Sequence, residues 1–259
     1  MKYHLPEARI CGHKQTGADL YLLDFHAPEI AAVAQPGQFV HIRVSGQLDP
    51  LLRRPFSICG VDRDAGLVRF WYQVIGKGTK LMSGLAIGEA LDVIGPLGKG
   101  FKTDLIGKKA ALIGGGMGIA PLLFLGGELA KNNSVTAFFG GRNKELLPKQ
   151  SLLPVLSCRF ATDDGSAGYK GLVTELLAEW LKKETPDILY ACGPRAMLSE
   201  VARLARQEGI PLQVSLEATM ACGVGACLGC TCGKSRTDKG IWLKACQDGP
   251  VFWEQEVEL

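Results

Sequence analysis

The 259-residue sequence has no stripe of lysine and arginine. Its 29 basic and 26 acidic side chains leave a net charge of +3, spread without long basic runs. That distribution excludes the electrostatic footprint a nucleic-acid backbone requires. The N-terminal stretch MKYHLPEARI lacks the apolar core of a secretory signal. No internal repeat and no low-complexity linker interrupts the chain. The longest uncharged run, residues 110–127 (AALIGGGMGIAPLLFLGG), holds six glycines and a proline. It reads as a strand, a glycine-rich turn and a buried helix rather than a membrane span. The strict G-x-G-x-x-G dinucleotide fingerprint is missing too, since the glycines of that run stand at 114, 115, 116 and 118. What remains is a chain expected in the cytoplasm. In that compartment nine cysteines argue for metal or redox chemistry rather than disulfides.

The composition is otherwise that of a globular protein, with 47% hydrophobic residues and 33 glycines. So much glycine implies many tight turns or close approaches of backbone to ligand. Three regions differ in pattern. Residues 1–103 carry short runs rich in β-branched and aromatic side chains, such as GQFVHIRV (37–44) and GLVRFWYQV (66–74). Gly, Pro and Asp punctuate them closely, as in an antiparallel barrel or sandwich. No helix of crossover length intervenes, so a parallel sheet is excluded here. One short helix is expected, with Thr79 capping KLMSGL.

Residues 104–213 alternate apolar strands with helical patterns, which implies a Rossmann-like parallel α/β domain with helices on both faces. In one of those helices Leu172, Val173, Leu176, Leu177, Trp180 and Leu181 share a face. Residues 214–259 are too few for an ordinary core, yet they hold five of the nine cysteines. A segment that small needs a staple, and a metal centre is the natural one where disulfides are disfavoured.

The thiols are spaced Cys222-x4-Cys227-x2-Cys230-x15-Cys246. This is the order of plant-type [2Fe-2S] ligation, in which four thiolates hold two irons. Gly223, Gly225 and Gly229 let the loop wrap closely and turn backbone N–H groups towards sulfur. Structural zinc prefers two separated C-x2-C pairs, and the four-residue gap fits that poorly. Cys232 offers a fifth thiol and is read as a bystander. Cys11, Cys59 and Cys158 read as small buried apolar residues. A [2Fe-2S] cluster moves single electrons and not hydride, so the other regions should supply a donor or an acceptor.

Two further motifs bear on that. RRPFSI (53–58) places Arg54 where it can pair with a pyrophosphate, Phe56 where it can lie beside a flavin ring, and Ser57 where its hydroxyl can reach a ring heteroatom. Alone, it reads better as a strand start with a solvated arginine pair, and what shifts the balance lies downstream. Downstream, Tyr72, Gln73 and Val74 would flank the same ring, and Gly76, Gly78 and Thr79 make a turn into a helix N-terminus. In the α/β region, Gly114, Gly115 and Gly116 form a turn between strand and helix that can set N–H groups on a pyrophosphate. A tight packing turn accounts for the same glycines. The second turn, CGPRAML (192–198), begins with Cys192 and Gly193. Both turns fall at the carboxyl ends of strands, where ligands of open parallel sheets sit.

Taken in order, R-P-F-S, G-K-G-T, G-G-G-M-G-I-A-P and C-G-P-x-x-M resemble the ferredoxin–NADP reductase superfamily. CGVGACLGCTC followed by CQDGPVF narrows the resemblance to the electron-transfer subunits of B-type, NAD-dependent dihydroorotate dehydrogenase. It runs from PGQF at 36–39 to QEVEL at the end of the sequence. The resemblance implies an FAD-binding β-barrel (1–103), an NAD-binding α/β domain (104–213) and a [2Fe-2S] domain (214–259). Position by position it implies that Arg54, Pro55, Phe56, Ser57, Tyr72, Gln73, Val74, Gly78 and Thr79 bind FAD, and that Cys222, Cys227, Cys230 and Cys246 bind the cluster. It implies a separate FMN-containing catalytic subunit that oxidises dihydroorotate in pyrimidine biosynthesis, two of each subunit forming a heterotetramer. Electrons would run from that FMN through the cluster to FAD and on to NAD+, with no catalytic acid–base residue in this chain.

Thr219 departs from the family's usual Arg, and Gln73 stands where Arg is common. These bear respectively on the partner or nucleotide contact and on flavin affinity. Cys192 and Glu217 approach the flavin or nicotinamide in this reading, with structural roles the simpler one. Arg142, after the second strand of the α/β region, leaves the choice between NAD and NADP open. Two alternatives remain. One is a reductase subunit of a hydrogenase, glutamate synthase or bifurcating complex, where the first cluster ligand is often Asp, and Cys222 speaks against it. The other is a zinc-stapled nucleotide-binding regulator without redox activity.

Overall fold

The computed structural model describes residues 3–153, 157–234 and 240–259. Strands β1 (Tyr3–Gln15), β2 (Leu20–His26), β3 (Phe39–Arg43), β4 (Arg54–Asp62), β5 (Leu67–Gln73) and β6 (Ala90–Leu97) close into a barrel. Their order is β1-β2-β5-β4-β3-β6, and every pairing is antiparallel. Alternation decides what fills it. In β3, Val40 and Ile42 point inward and join Phe25, Phe70 and Val93 in the barrel core. Phe39 and His41 point to the outer face, yet both are buried there, because other parts of the chain cover that face.

The barrel holds one helix the sequence reading did not anticipate, α1 (Pro28–Val33). Pro28 supplies a preset first turn and Ile30 and Ala31 pack into the barrel core. Six residues show too little of the 3.6-residue period to be read as a helix. The expected short helix, α2, spans Lys77–Met82. Thr79 is not its cap. Gly76 takes that place, and Thr79 Oγ1, a turn inside, accepts hydrogen bonds from the N–H groups of Ile75 (3.0 Å) and Gly76 (3.2 Å). Cys11 also departs from its expected burial. The register of β1 slips between Ile10 and Gly12, which turns Cys11 out to solvent. Cys59 is buried and Cys158 half-buried.

The second body is a sheet of β7 (Lys109–Gly115), β8 (Ser134–Gly141), β9 (Ser157–Thr162), β10 (Tyr169–Lys170), β11 (Ile188–Cys192) and β12 (Leu212–Ser215), all parallel. Helix α3 (Ile119–Leu129) covers one face, and α4 (Val173–Leu181) and α5 (Arg195–Glu208) the other. The uncharged run 110–127 is therefore β7, a turn and most of α3. Its apolar character follows from position, since α3 lies between the sheet and the barrel strand β4. Among the described residues no helix is long and apolar enough to cross a membrane.

The third region is not self-contained. β12 runs through the expected boundary to Ser215, and the chain returns at β15 (Val251–Trp253), which pairs antiparallel with β12 and completes a seven-stranded sheet. Between them lie the cysteine loop and a hairpin of β13 (Thr231–Lys234) and β14 (Trp242–Lys244). The small core of this excursion is Met220, Cys230, Ala245 and Cys246, completed by Phe39 and Leu97 of the barrel. Phe252 instead enters the core under α4 and α5. Phe252→Ala should therefore destabilise the α/β body by about 3–5 kcal/mol, read by urea denaturation. An effect confined to the cysteine loop would contradict this architecture.

Candidate cofactor site

A cleft of about 410 Å³ opens where barrel, sheet and cysteine excursion meet. β4 contributes Arg54, Pro55, Phe56 and Ser57, β5 contributes Trp71, Tyr72 and Gln73, and the start of α2 contributes Ile75 and Thr79. The α/β body faces them with Met117, Gly118, Ala120, Cys192 and Ser215, and Glu217 and Met220 close the side nearest the thiols. Val74 falls outside the cleft; its N–H is tied to the Asp19 carbonyl at 2.8 Å and its side chain packs on the barrel core. Gly78 lies beneath Arg54, and a Cβ there would come within 2.5 Å of Arg54 Nε. The glycine thus lets the guanidinium lie across the start of α2.

The aromatic wall is rigid. Phe56 stacks on Phe70 at 4.8 Å and meets Tyr72 edge-on at 5.7 Å. His13 Nδ1 lies 2.8 Å from the Leu85 carbonyl, which only accepts, so that nitrogen carries the proton. His13 Nε2 then accepts from the Tyr72 hydroxyl at 3.0 Å. Burial, with Tyr21 adding to it, pushes the Tyr72 phenol above its ordinary range. Trp71 donates its Nε1–H to Thr16 Oγ1 at 3.0 Å. On the opposite wall, burial and then the Glu217 carboxylate push the Cys192 thiol up to about 12, and burial raises Glu217 itself.

The glycines of the two α/β turns divide by what surrounds them. A Cβ at Gly114 would press on Ile119, one at Gly115 on the Met197 sulfur, and one at Gly193 on the Met197 methyl. Gly118 lies so close to the Cys192 carbonyl that no side chain fits. Gly115, Gly118 and Gly193 thus pack the β7–α3 turn against the β11–α5 turn, while Gly114 packs it on α3 and β8. Gly116 differs, with φ +56° and open space around it. A second opening, of about 640 Å³, adjoins the β11–α5 turn. Gly193, Arg195, Glu217, Thr219 and Cys232 line it, so Thr219 belongs to this opening and not to the main cleft. Arg142 stands exposed just past the carboxyl end of β8.

The thiols fall into two pairs. Cys230 and Cys246 are buried with their sulfurs 3.1 Å apart. Cys222 and Cys227 form the outer pair, and Cys227 is exposed. The Cys222 sulfur accepts from the N–H groups of Val224 and Cys227, each at 3.4 Å, and Cys227 accepts from Gly229 N–H at 3.5 Å. Burial raises the Cys222 thiol, but these donors and the Cys227 thiol outweigh it and bring the group down to about 6. Cys222 in turn acts electrostatically on Cys246, which links the pairs. Among the described residues, no three His, Cys, Asp or Glu side chains are gathered closely enough to hold a single ion. Cys232 points elsewhere, donating to the Leu243 carbonyl at 3.4 Å.

Sequence reasoning missed Phe39, Trp71, Met117 and Met220 as cleft residues. The signal for Phe39 was present. In GQFVHIRV, Val40 and Ile42 define the inner face, which leaves Phe39 and His41 an apolar and a polar group to bury on the other.

Residues 217–258 match the family described as the iron-sulfur cluster binding domain of dihydroorotate dehydrogenase B. The chain is 41% identical over 249 residues to the protein named dihydroorotate dehydrogenase B (NAD(+)), electron transfer subunit, of Desulforamulus reducens, covering 95% of each. The protein of the same name from Enterococcus faecalis is 40% identical over 256 residues, with 96% of this chain and 97% of the relative covered. Among solved structures, an NADH-dependent reduced ferredoxin-NADP oxidoreductase superposes with a TM-score of 0.86 at 31% identity, over 98% of this chain and 90% of that one. With relatives this similar along nearly its whole length, the chain belongs to the family of electron-transfer subunits of NAD(+)-dependent dihydroorotate dehydrogenase B.

Proposed function

We propose that this chain carries electrons from a dihydroorotate-oxidising catalytic subunit to NAD+, holding FAD in the cleft and a [2Fe-2S] cluster on Cys222, Cys227, Cys230 and Cys246. When bound, the cluster supplies single-electron transfer between the partner's FMN and FAD, and FAD supplies the exchange between single electrons and hydride on NAD+.

The residues fit these groups. A flavin needs a flat apolar wall and a cation for its pyrophosphate, and the cleft offers Pro55, Phe56 and Tyr72 with Arg54 beside them. A two-iron cluster needs two thiolate pairs, which the chain supplies along with backbone N–H groups already aimed at sulfur. For a nicotinamide nucleotide, Gly116 offers an open left-handed turn at the carboxyl end of β7. Gly114 and Gly115 then shape the nucleotide site by packing, while Cys192 faces the main cleft and Gly193 the adjoining opening. Gln73 stays on the flavin wall.

One observation carries the reading. Phe39 and Met220 line the cleft and also pack on Cys230 and Cys246. The same two side chains therefore wall the flavin cleft and the thiolate centre. The functional division 1–103, 104–213 and 214–259 follows these sites, although the last strand returns to the α/β sheet. The partner would carry FMN in a heterotetramer with two of each subunit, and nine free thiols suit a cytoplasmic setting. Val224 and Leu228 stand exposed beside Cys227 and offer the partner an apolar edge at the cluster.

The purified protein should be brown-yellow, with flavin and iron–sulfur absorption. Serine at any of Cys222, Cys227, Cys230 or Cys246 should abolish the cluster's electron paramagnetic resonance signal, while Cys232→Ser should keep it. A colourless zinc protein would sink the reading. On the partner face, Val224→Glu should weaken association with the catalytic subunit about tenfold or more, measured by titration calorimetry, with cluster content unchanged.

A further inference from the structure

His41 lies on the outer face of β3 and is fully buried, at 0% exposure. Neither ring nitrogen makes a hydrogen bond. Buried polar groups are rarely left so, and each exception calls for a physical reason. The covering element supplies one. The ring is capped by the loop that carries the first thiolate, and any Cβ at Gly223 would overlap His41 Nδ1. Gly223 also has φ +70°, so contact and backbone both select glycine there. The main-chain groups of Arg53 and Cys222 approach the ring without an aligned bond to it. An imidazole carries at least one ring N–H to donate in either protonation state.

We propose that His41 is a positioning residue for the cluster: its unpaired ring, already lying under the first-ligand loop at Gly223, donates its N–H to the Cys222 main chain when that loop holds the cluster, and so clamps the loop onto the flavin barrel. The clamp joins two sites through one side chain. On one side is Cys222, whose sulfur accepts from the Val224 and Cys227 N–H groups. On the other is the Arg53–Arg54 start of β4, whose next residues line the cleft. Holding the loop keeps those N–H groups on sulfur, and such donors stabilise the reduced cluster. The inference rests on the reading of Cys222 as a cluster ligand.

The test uses the full-length protein, with iron and flavin counted per chain. His41→Leu, which fills space without a donor, should leave FAD content intact. It should make the cluster harder to reduce, by about three- to tenfold in the one-electron equilibrium, or roughly 30–60 mV. It should also speed iron loss to a chelator. His41→Gln, which keeps an N–H, should recover most of both. Gly223→Ala, which pushes the loop off the ring, should reproduce the His41→Leu shift and serves if that variant does not fold. Wild-type potential, spectrum and chelator half-life in both His41→Leu and Gly223→Ala would overturn the clamp. Wild-type protein that binds no iron at all would instead overturn the ligand assignment, and the clamp with it.

Discussion

The cysteine excursion is too short and too polar to make a core of its own, and the arrangement of the rest follows from where it finds one. It closes on the outer face of β3, with Phe39 and Leu97 completing the core around Cys230 and Cys246. A barrel strand with one face already committed to the interior thus buries its second face under the thiols. Apolar burial is non-directional, so it alone would not choose the register. The glycines choose it. Gly223 admits the loop against His41, and Gly225 admits Gln247, whose side chain leaves no room for a Cβ there.

A second constraint is the return of the chain to the sheet. β12 is the last parallel strand, and β15 pairs with it antiparallel. Both ends of the excursion are therefore fixed to one edge of a rigid sheet. Its path starts at the carboxyl end of β12, beside the ends of β7 and β11. Ligands of open α/β sheets collect at those ends. The excursion forms the cleft's remaining side there, with Glu217 and Met220, and Pro250 closes it where the chain turns back.

Much of this was legible in the sequence. The alternation of apolar and polar residues separated barrel from α/β body, because the two periods differ and the runs were long enough to count. R-P-F-S and the strand at Tyr72 do share one cleft wall. The six-residue α1 was not legible, since it spans fewer than two turns. The tail's union with the sheet was also hidden, because the three residues of β15 carry no periodicity and their partner is set by tertiary packing. Glycine-rich turns are ambiguous for a related reason. Gly115 and Gly116 are neighbours of identical type, yet one is pressed by Met197 and the other faces open space. Only the surroundings separate a packing glycine from one that leaves room for a ligand.

The electrostatics of the cleft bear on how it handles charge. Tyr72 is buried and committed as a donor to His13, Cys192 is held as a neutral thiol, and burial moves Glu217 towards its neutral form. Three titratable groups are thus pressed the same way by one cause, loss of water. Arg54 remains as the cation at the rim, where its side chain also bonds the Leu52 carbonyl. A cleft with a fixed aromatic wall, one peripheral cation and its inner acids drawn towards neutrality can orient a planar, phosphate-bearing group. Hydride exchange between a flavin and a nicotinamide makes that demand, since it needs alignment of two rings and exclusion of water rather than an acid or a base.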